Sequence, residues 1–215
     1  MTTIKKTLQT FSRNVDSYEK WFDDHPAIFQ SEVEAIRELL PEGELFGIEI
    51  GLGTGRIAQA LGLKEGIEPC KEMRERAIER GIEVMDARAE HIPYKDLHFD
   101  FVLITTSIHY IEDIPMALQE ANRVLKRHAV IIIGMIAPES SFGRIYQEKR
   151  KQQSFYQHAT FYKAPTIIQA LRNANFKNIK VFQTLFGEPD SILEVQAMRE
   201  GMDKGSFILL KGEKK

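Results

Sequence analysis

The stretch Gly47-Ile48-Glu49-Ile50-Gly51-Leu52-Gly53-Thr54-Gly55-Arg56 decides the fold that this sequence predicts. Phe46, Ile48 and Ile50 indicate a buried strand, and apolar residues recur at helical spacing from Arg56 to Leu61. The three glycines between these segments predict a tight turn, because glycine adopts positive φ values and lets a ligand approach the backbone. The helix start adds free N–H groups and a positive dipole end. The motif is therefore a strand, a glycine turn and the start of a helix.

The spacing of the glycines narrows the choice of ligand. A dinucleotide-binding fingerprint places its third glycine one residue later, where this sequence has Arg56. The tighter Gly-x-Gly-x-Gly, with Glu49 two residues before it, resembles the first motif of the class I S-adenosylmethionine (SAM)-dependent methyltransferases. The resemblance implies that Glu49, Gly51, Gly53 and Gly55 lie at the cofactor. On the residues alone, a tight strand-to-helix turn that binds no ligand remains the alternative.

The composition predicts one globular domain over residues 1–215. The sequence is 43% hydrophobic and 28% charged, and a chain of this length buries about 70% of its unfolded surface. The net charge of −2 gives no reason to expect nucleic acid as a partner. Cys70 is the single cysteine, so neither an intrachain disulfide nor a cysteine-rich metal site is expected. No apolar run reaches membrane-spanning length and residues 1–10 lack a signal-peptide core, which predicts a cytoplasmic protein.

An acidic residue stands where the second predicted strand ends. Glu68 follows Gly51 at the distance expected for nucleoside-binding α/β folds, and Pro69 comes directly after it. In such folds one carboxylate accepts hydrogen bonds from both ribose hydroxyls beside the first glycine turn. The resemblance therefore assigns Glu68 and Pro69 to the cofactor ribose. As an isolated residue, Glu68 would instead be a solvated loop glutamate.

The third predicted strand ends at Asp86, which Ala87 and Arg88 follow. An Asp-Ala pair with a later proline, here Pro93, is similar to the family's adenine-binding segment. The resemblance implies that the Asp86 side chain and the next backbone N–H groups hold adenine. This suits the chemistry, because adenine offers an exocyclic amine to a carboxylate and a ring nitrogen to an N–H donor. The alternative for Asp86 is a helix or turn cap.

The fourth predicted strand, residues 99–106, is nearly continuously apolar, as expected for a parallel strand covered on both faces. It resembles the family's Phe-Asp-x-Val motif, which implies that Thr105 and Thr106 contact the methionine half of the cofactor. Enzymes that methylate exocyclic amines of nucleic-acid bases carry an Asn/Asp-Pro-Pro-aromatic turn at this point. This chain has Thr105-Thr106-Ser107-Ile108, so that activity is not expected.

Two segments outside these motifs are expected to border the acceptor. Residues 11–40 are predicted to form a helical cap, in which Tyr18 and Trp21 are similar to a lid of the family. Packing of both rings against the sheet is the alternative. Residues 137–160 are a variable insertion after the fifth strand, where ligand crevices form in open α/β sheets. Phe142 and Tyr146 of this insertion are candidates for the acceptor pocket.

The remaining motifs complete the family's order. Arg123-Val124-Leu125-Lys126 matches the family's helix end, but Arg127-His128-Ala129 replaces its Pro-Gly-Gly turn before a fifth strand at 130–136. Residues 179–185 and 206–210 are predicted as the closing antiparallel pair. The sequence therefore predicts an α/β fold, a doubly wound and mostly parallel seven-stranded sheet with an antiparallel last strand.

The ordered motifs predict a SAM-dependent methyltransferase similar to the type 11 and quinone-biosynthesis group. Such an enzyme moves the methyl group of SAM to a small-molecule acceptor by in-line displacement and releases S-adenosylhomocysteine (SAH). Because the sulfonium already activates the methyl group, the protein mainly aligns the reactants and excludes water. If a base is needed, His109 is the candidate; His25 and His158 are weaker candidates, and a polar loop or lid histidine is the alternative for His109. A non-catalytic SAM- or SAH-binding protein, an NAD-dependent oxidoreductase and a nucleic-acid methyltransferase remain as other hypotheses.

Overall fold

The computed structural model describes residues 3–43, 45–150 and 155–215 of the chain. One sheet is formed by the strands β1 (Gly47–Ile50), β2 (Glu65–Ile67), β3 (Glu83–Met85), β4 (Phe99–Thr105), β5 (Leu125–Ile136), β6 (Phe176–Thr184), β7 (Arg199–Glu200) and β8 (Phe207–Lys214). Their order is β3-β2-β1-β4-β5-β8-β6-β7. The first five strands in this order pair in parallel. β8 is antiparallel to both of its neighbours, which confirms the predicted mostly parallel sheet with an antiparallel last strand.

The described sheet has one strand more than the seven that the motifs predict. β7 contains only Arg199 and Glu200 and pairs with Phe182 and Gln183 at the edge of the sheet. Both residues of β7 are exposed and polar, so no apolar alternation marks this strand in the sequence. The correction adds a short edge and leaves the central sheet unchanged.

Eight α-helices accompany the sheet in the described residues: α1 (Thr3–Arg13), α2 (Val15–Asp24), α3 (Pro26–Leu39), α4 (Arg56–Leu61), α5 (Lys71–Glu79), α6 (Ile114–Val124), α7 (Ser141–Lys149) and α8 (Ala164–Asn173). The N-terminal helical segment thus begins at Thr3, earlier than the expected residue 11. In the predicted insertion, α7 is followed by a 3-10 turn at Phe155–His158. Residues 151–154 of the insertion lie outside the described residues.

Both faces of the sheet are covered, as a doubly wound fold requires. Side chains alternate between the faces of a strand, so Val102 and Ile104 of β4 pack in the cluster that contains α6 and α8. Leu103 points the other way and packs with α3 and α7. Phe101 joins a third cluster with residues of α4 and α5 on that second face. The continuous apolar sequence of β4 therefore reflects burial on both sides.

The strand β5 begins earlier than predicted. Residues Phe99 and Phe101 of β4 pair with Leu125 and Val130, so the residues between the latter two bulge out of the ladder. His128 lies in this bulge with φ of 62°, a conformation that histidine adopts more readily than most side chains. The expected turn at residues 127–129 is thus a bulge inside a longer strand. It lies at the amino ends of the parallel strands, away from the glycine turn.

The helices of the described residues include none that is long and apolar enough to cross a membrane. Within the same residues, no group of three or more His, Cys, Asp or Glu side chains is placed to hold a metal ion.

Truncation of Ile132 tests the central position of β5. Ile132 is fully buried and pairs with Leu103 on one side and Lys211 on the other. We expect Ile132→Ala to lower the free energy of unfolding by about 2–5 kcal/mol, because lost apolar burial and a residual cavity both destabilise the core. The control Ile78→Ala removes a side chain that is 52% exposed and should change it by less than about 0.5 kcal/mol. Urea denaturation measures both, and equal effects would contradict the described packing.

Candidate active site

A cavity of about 420 Å³ lies at the carboxyl ends of β1, β2 and β4. β1 lies between β2 and β4 in the sheet, so the chain changes direction across the sheet at this point. Open α/β sheets bind ligands at such switch points, and the volume is within the range of small-molecule sites. Leu8 and Phe11 of α1 and Tyr18 of α2 cover the cavity. The helical segment therefore forms a roof over the strand ends.

The glycine turn forms part of the cavity floor. Gly51 and Gly53 have φ values of 68° and 58°, which side chains other than glycine rarely adopt. A Cβ atom added to Gly53 would lie 3.1 Å from the Tyr18 hydroxyl oxygen. The turn backbone is therefore open toward the cavity and is covered from above by the tyrosine of α2.

Glu68 connects the glycine turn to the end of β2. Its Oε2 accepts a hydrogen bond from the Gly53 N–H at 2.9 Å, and its Oε1 accepts one from the Cys70 N–H at 2.8 Å. Burial raises the pKa of Glu68 to about 7, although both backbone hydrogen bonds oppose the shift. Each carboxylate oxygen can accept a further hydrogen bond. Glu68 can therefore hold the turn and bind a ligand hydroxyl at the same time.

Glu49 and Thr105 place unpartnered polar atoms in the cavity wall. Glu49 Oε2 and Thr105 Oγ1 are buried and have no partner in good hydrogen-bond geometry among the described residues, although the Thr105 hydroxyl is near enough to oppose the rise in the Glu49 pKa. Burial raises the pKa of Glu49 to about 8. Buried polar atoms are normally paired, so this pair indicates a place for a ligand group that donates hydrogen bonds.

Ion pairs attach α2 to the helices beside the glycine turn. Glu19 Oε2 lies 2.8 Å from Arg56 Nη2 and 2.5 Å from Arg80 Nη2. Arg56 also pairs with Asp23 at 2.8 Å, and its guanidinium lies 5.4 Å from the ring centroid of Phe22. Burial raises the pKa of Glu19, but hydrogen bonds from Arg56 and the charge of Arg80 outweigh it and leave the pKa below its usual value. Ion pairs thus hold α2, which is part of the roof, to the residues beside the glycine turn.

Beyond the glycine turn, the cavity continues into an aromatic compartment. Its rings belong to Trp21, Tyr146, Phe155, Tyr156 and Phe161, all of which line the cavity. Tyr146 and Tyr156 stack with ring centroids 4.1 Å apart and an interplanar angle of 11°. This compartment is suited to a flat or apolar molecule.

His109 lines the cavity but has both ring nitrogens engaged. Its Nδ1 lies 2.9 Å from the Thr160 carbonyl oxygen, and its Nε2 accepts a hydrogen bond from the Ile136 N–H at 3.0 Å. The ring is therefore neutral with the proton on Nδ1, and burial lowers its pKa to about 4. Because Nδ1 carries the proton and Nε2 accepts a hydrogen bond, neither ring nitrogen has a free lone pair in this structure. A general-base role for His109 stays a prediction. The histidine instead joins the end of β5 to Thr160.

The two weaker histidine candidates lie away from the cavity lining. His25 stacks on Trp21, and its Nδ1 lies 2.8 Å from the Trp21 carbonyl oxygen. His158 is part of the 3-10 turn that follows α7. Neither side chain is therefore placed to contact a molecule in the cavity.

Three other predicted site residues are also not among the lining residues. Gly55 faces the core, where an added Cβ atom would lie 2.7 Å from Ile82. Asp86 is largely exposed and forms an ion pair with Arg74 at 3.0 Å. Phe142 is 1% exposed and packs in the core behind the compartment. The remaining predicted residues line the cavity: Tyr18, Trp21, Glu49, Gly51, Gly53, Glu68, Pro69, Ala87, Arg88, Thr105, Thr106, His109 and Tyr146.

Two groups of lining residues were missed by the sequence analysis. Ile4, Leu8 and Phe11 line the cavity from α1, and their helical spacing was a usable signal. Glu32 also lines the cavity and is 5% exposed. It lies one turn after Ile28 on the apolar face of α3, where an acidic residue departs from the pattern.

Comparison with known proteins identifies the family to which this chain belongs. A family described as "Methyltransferase domain" matches residues 48–133. The crystal structure of a SAM-dependent methyltransferase from Thermotoga maritima, a possible histamine N-methyltransferase, is 40% identical with a TM-score of 0.92. The alignment covers 97% of this chain and 100% of the Thermotoga chain. The chain belongs to the SAM-dependent methyltransferase family.

Two further relatives extend the comparison. An uncharacterized protein of Methanocaldococcus jannaschii is 41% identical to this methyltransferase, over 96% of this chain and all of its own length. The N-methyltransferase NodS of Bradyrhizobium japonicum, solved with SAH, is 17% identical with a TM-score of 0.71, and the match covers 97% and 98% of the two chains. At that identity NodS shows the shared fold. Family membership makes SAM the cofactor and SAH the product, and it overturns the NAD-dependent alternative.

The cavity residues of the methyltransferase fit this cofactor. SAM carries an ammonium group, a positive sulfonium and ribose hydroxyls, all of which favour carboxylates as neighbours. Glu49 and Glu68 are both buried in the cavity wall, and Glu49 has an unpartnered oxygen. Gly53 and Tyr18 both line the cavity, and the Tyr18 hydroxyl lies close above the Gly53 backbone. The cavity wall thus carries carboxyl groups that can accept hydrogen bonds from the ammonium group and the ribose hydroxyls of SAM.

Removal of the Glu19 charge tests the attachment of the roof. We expect Glu19→Gln to lower the free energy of unfolding by about 1–3 kcal/mol, because it leaves Arg80 without its charged partner. The adjacent control Lys20→Gln breaks an exposed pair, in which the lysine side chain is 72% exposed, and should cost less than about 1 kcal/mol. Urea denaturation of both variants measures the difference. An unfolding free energy equal to that of the wild type in Glu19→Gln would show that these ion pairs do not hold α2.

Burial of Glu49 predicts a dependence of stability on pH. Its pKa rises from 4.5 to about 8 on folding, so its stabilising effect is complete below about pH 4.5 and is lost as pH rises to about 8. Glu32 and Glu68 act in the same direction. Above about pH 6.5, His109 is neutral in the folded and in the unfolded state, so it does not change the unfolding free energy with pH there.

We therefore expect the unfolding free energy of the free protein to fall between about pH 6.5 and 8.5. Glu49→Gln should flatten the fall, and Glu75→Gln, which changes an exposed charge on α5, should not. Urea titrations at several pH values provide the measurement. A slope that is the same in Glu49→Gln and in the wild type would contradict the assigned burial.

Proposed function

We propose that this methyltransferase transfers the methyl group of SAM to a small-molecule acceptor. The observation that supports this proposal is the continuity of the cavity, which has the glycine turn and Glu68 at one end and the aromatic compartment at the other. An acceptor in the compartment would be next to the cofactor under the same roof. A volume of about 420 Å³ suits a small molecule better than a folded macromolecule.

The cavity residues suggest how the cofactor is held. In this proposal Glu68 binds the ribose hydroxyls beside Pro69, and Glu49 with Thr105 binds the methionine ammonium near Thr106. The backbone at Ala87 and Arg88 lies at the cavity and would face adenine. Asp86 would have to leave its ion pair with Arg74 before its carboxylate could reach the adenine amine. Gly51 and Gly53 would present their backbone to the cofactor between these groups.

The chemistry asks for alignment rather than for strong acid or base catalysis. When bound, SAM supplies a methyl group on a sulfonium; the acceptor lone pair forms the new bond to carbon as the carbon–sulfur bond breaks and its electron pair stays on sulfur. The helices α1 and α2 exclude water from this space. The stacked pair of Tyr146 and Tyr156 restricts the orientation of the acceptor. These contributions need no protonation of a leaving group.

A panel of acceptors tests the proposal. The relationship to a possible histamine N-methyltransferase recommends amines and imidazoles, and phenols, thiols and carboxylates complete the panel. Formation of SAH and of a product heavier by one methyl group, measured by mass spectrometry, would support the proposal. Binding of SAM without turnover of any compound would favour a non-catalytic SAM-binding protein. Turnover of RNA, DNA or protein alone would overturn the small-molecule assignment.

Glu68→Gln tests the cofactor arrangement. We expect SAH affinity to fall about 10- to 100-fold, because charge-assisted hydrogen bonds to the ribose are weakened. Since Glu68 also accepts hydrogen bonds from Gly53 and Cys70, the variant is compared with wild type using SAH and an analogue without ribose hydroxyls. Loss of the hydroxyls should weaken binding to the wild type strongly and to Glu68→Gln only slightly. Isothermal calorimetry gives the four affinities.

The control for this comparison of two proteins and two ligands is Glu75→Gln, which changes an exposed residue of α5. This variant should bind both ligands as the wild type does. An equal loss on removing the hydroxyls, in Glu68→Gln and in the wild type, would show that Glu68 only supports the turn.

A further inference from the structure

An acidic side chain lies on the buried face of α3 and points into the cavity. Glu32 is 5% exposed and occupies a position one turn from both Ile28 and Ile36, which are core residues. It lines the cavity together with the aromatic compartment. The cofactor arrangement proposed above makes no use of Glu32, so its carboxylate is available to the acceptor.

Glu32 has no charged or hydrogen-bonding partner among the other described residues. Burial alone raises the pKa of Glu32 to about 8, and no neighbouring cation lowers it. Arg56, which also lines the cavity, is engaged with Glu19 and Asp23. Ionising a buried carboxyl group that has no partner is costly. A positively charged ligand would supply the missing partner.

The aromatic rings near Glu32 are also suited to a cation. Burial raises the pKa of Tyr146, and the negative charge of Glu32 raises it further. Glu32 acts in the same direction on Tyr156, after the larger effects of burial and of Tyr146. All three side chains line the cavity, and Tyr146 packs in the same core cluster as Ile28 and Ile36, which lie one turn from Glu32 on α3. Faces of aromatic rings attract organic cations within about 6 Å of the ring centroid.

We propose that the acceptor of this methyltransferase is a small protonated amine, whose ammonium group binds the Glu32 carboxylate beside the rings of Tyr146 and Tyr156. The inference rests on the proposed function and names its substrate class. An ammonium nitrogen has no lone pair, so it cannot take the methyl group while Glu32 holds it charged. The methyl-accepting atom is therefore a second nucleophile of the same molecule, such as a neutral ring nitrogen.

A pair of probes of equal size tests the ammonium site. Aminoethylpyridine is protonated on its side chain at neutral pH, whereas hydroxyethylpyridine is neutral there. Isothermal calorimetry in the presence of saturating SAH measures the binding of both to the wild type, to Glu32→Gln and to Glu38→Gln. Glu38 lies on the exposed side of the same helix, so its variant makes the same charge change outside the cavity.

We expect the wild type to prefer the amine over the alcohol, and Glu32→Gln to bind the amine about 10- to 100-fold more weakly. Binding of the alcohol should be equal in both, and Glu38→Gln should bind both probes as the wild type does. Equal binding of amine and alcohol to the wild type, or no binding of the amine, overturns the inference without the use of any variant. Unchanged amine affinity in Glu32→Gln overturns it as well.

The SAH titration separates this inference from the proposed function. If SAH binds and small molecules are methylated while the amine preference is absent, the inference about Glu32 fails and the proposed function stands. If SAH binds and no compound is turned over, the proposed function fails instead. Unchanged SAH affinity in Glu32→Gln shows that this variant is folded.

Discussion

The hydrogen bonds of the Glu68 carboxylate to the backbone of two separate segments hold the cavity floor in place. The glycine turn after β1 has N–H groups that neither a helix nor the sheet satisfies, and buried backbone donors need a partner. Glu68 supplies it for Gly53 and does the same for Cys70 at the start of α5. The strands β1 and β2 are held together by their own backbone ladder, and the Glu68 side chain adds the link from this pair to the glycine turn and to the start of α5. Its burial, which raises its pKa to about 7, also tunes the charge that a ligand meets.

The roof depends on a second electrostatic link, and Arg56 connects it to the turn. In a dinucleotide-binding fingerprint this position belongs to a glycine. Here the side chain extends from the first residue of α4 and pairs with Glu19 and Asp23 of α2. Arg56, which stands where a dinucleotide-binding fingerprint has glycine, thus holds α2 over the SAM site. The roof, the turn and the cofactor pocket form one connected unit.

Much of the fold could be predicted because it depends on local patterns. The buried strand β4 was evident from its continuous apolar sequence, and the structure covers it on both faces. β7 could not be predicted, because backbone pairing at a sheet edge places no demand on the side chains of Arg199 and Glu200. The start of α1 was missed since its apolar face contains only three residues in a polar sequence. The site was harder to predict than the fold, as Asp86 and His109 demonstrate.

The sequence by itself determined the order of strands and helices, the glycine turn and the family, because each depends on residues that are neighbours in the chain. It also determined that acidic residues follow the parallel strands, whose ends meet at one edge of the sheet. Only the tertiary structure decided that both ring nitrogens of His109 are engaged, by the Thr160 carbonyl and the Ile136 N–H. It likewise decided that Glu32 lines the same cavity as the rings of Tyr146 and Tyr156. The physical reason is that hydrogen-bond partners and burial come from segments far apart in the chain, which no local spacing encodes.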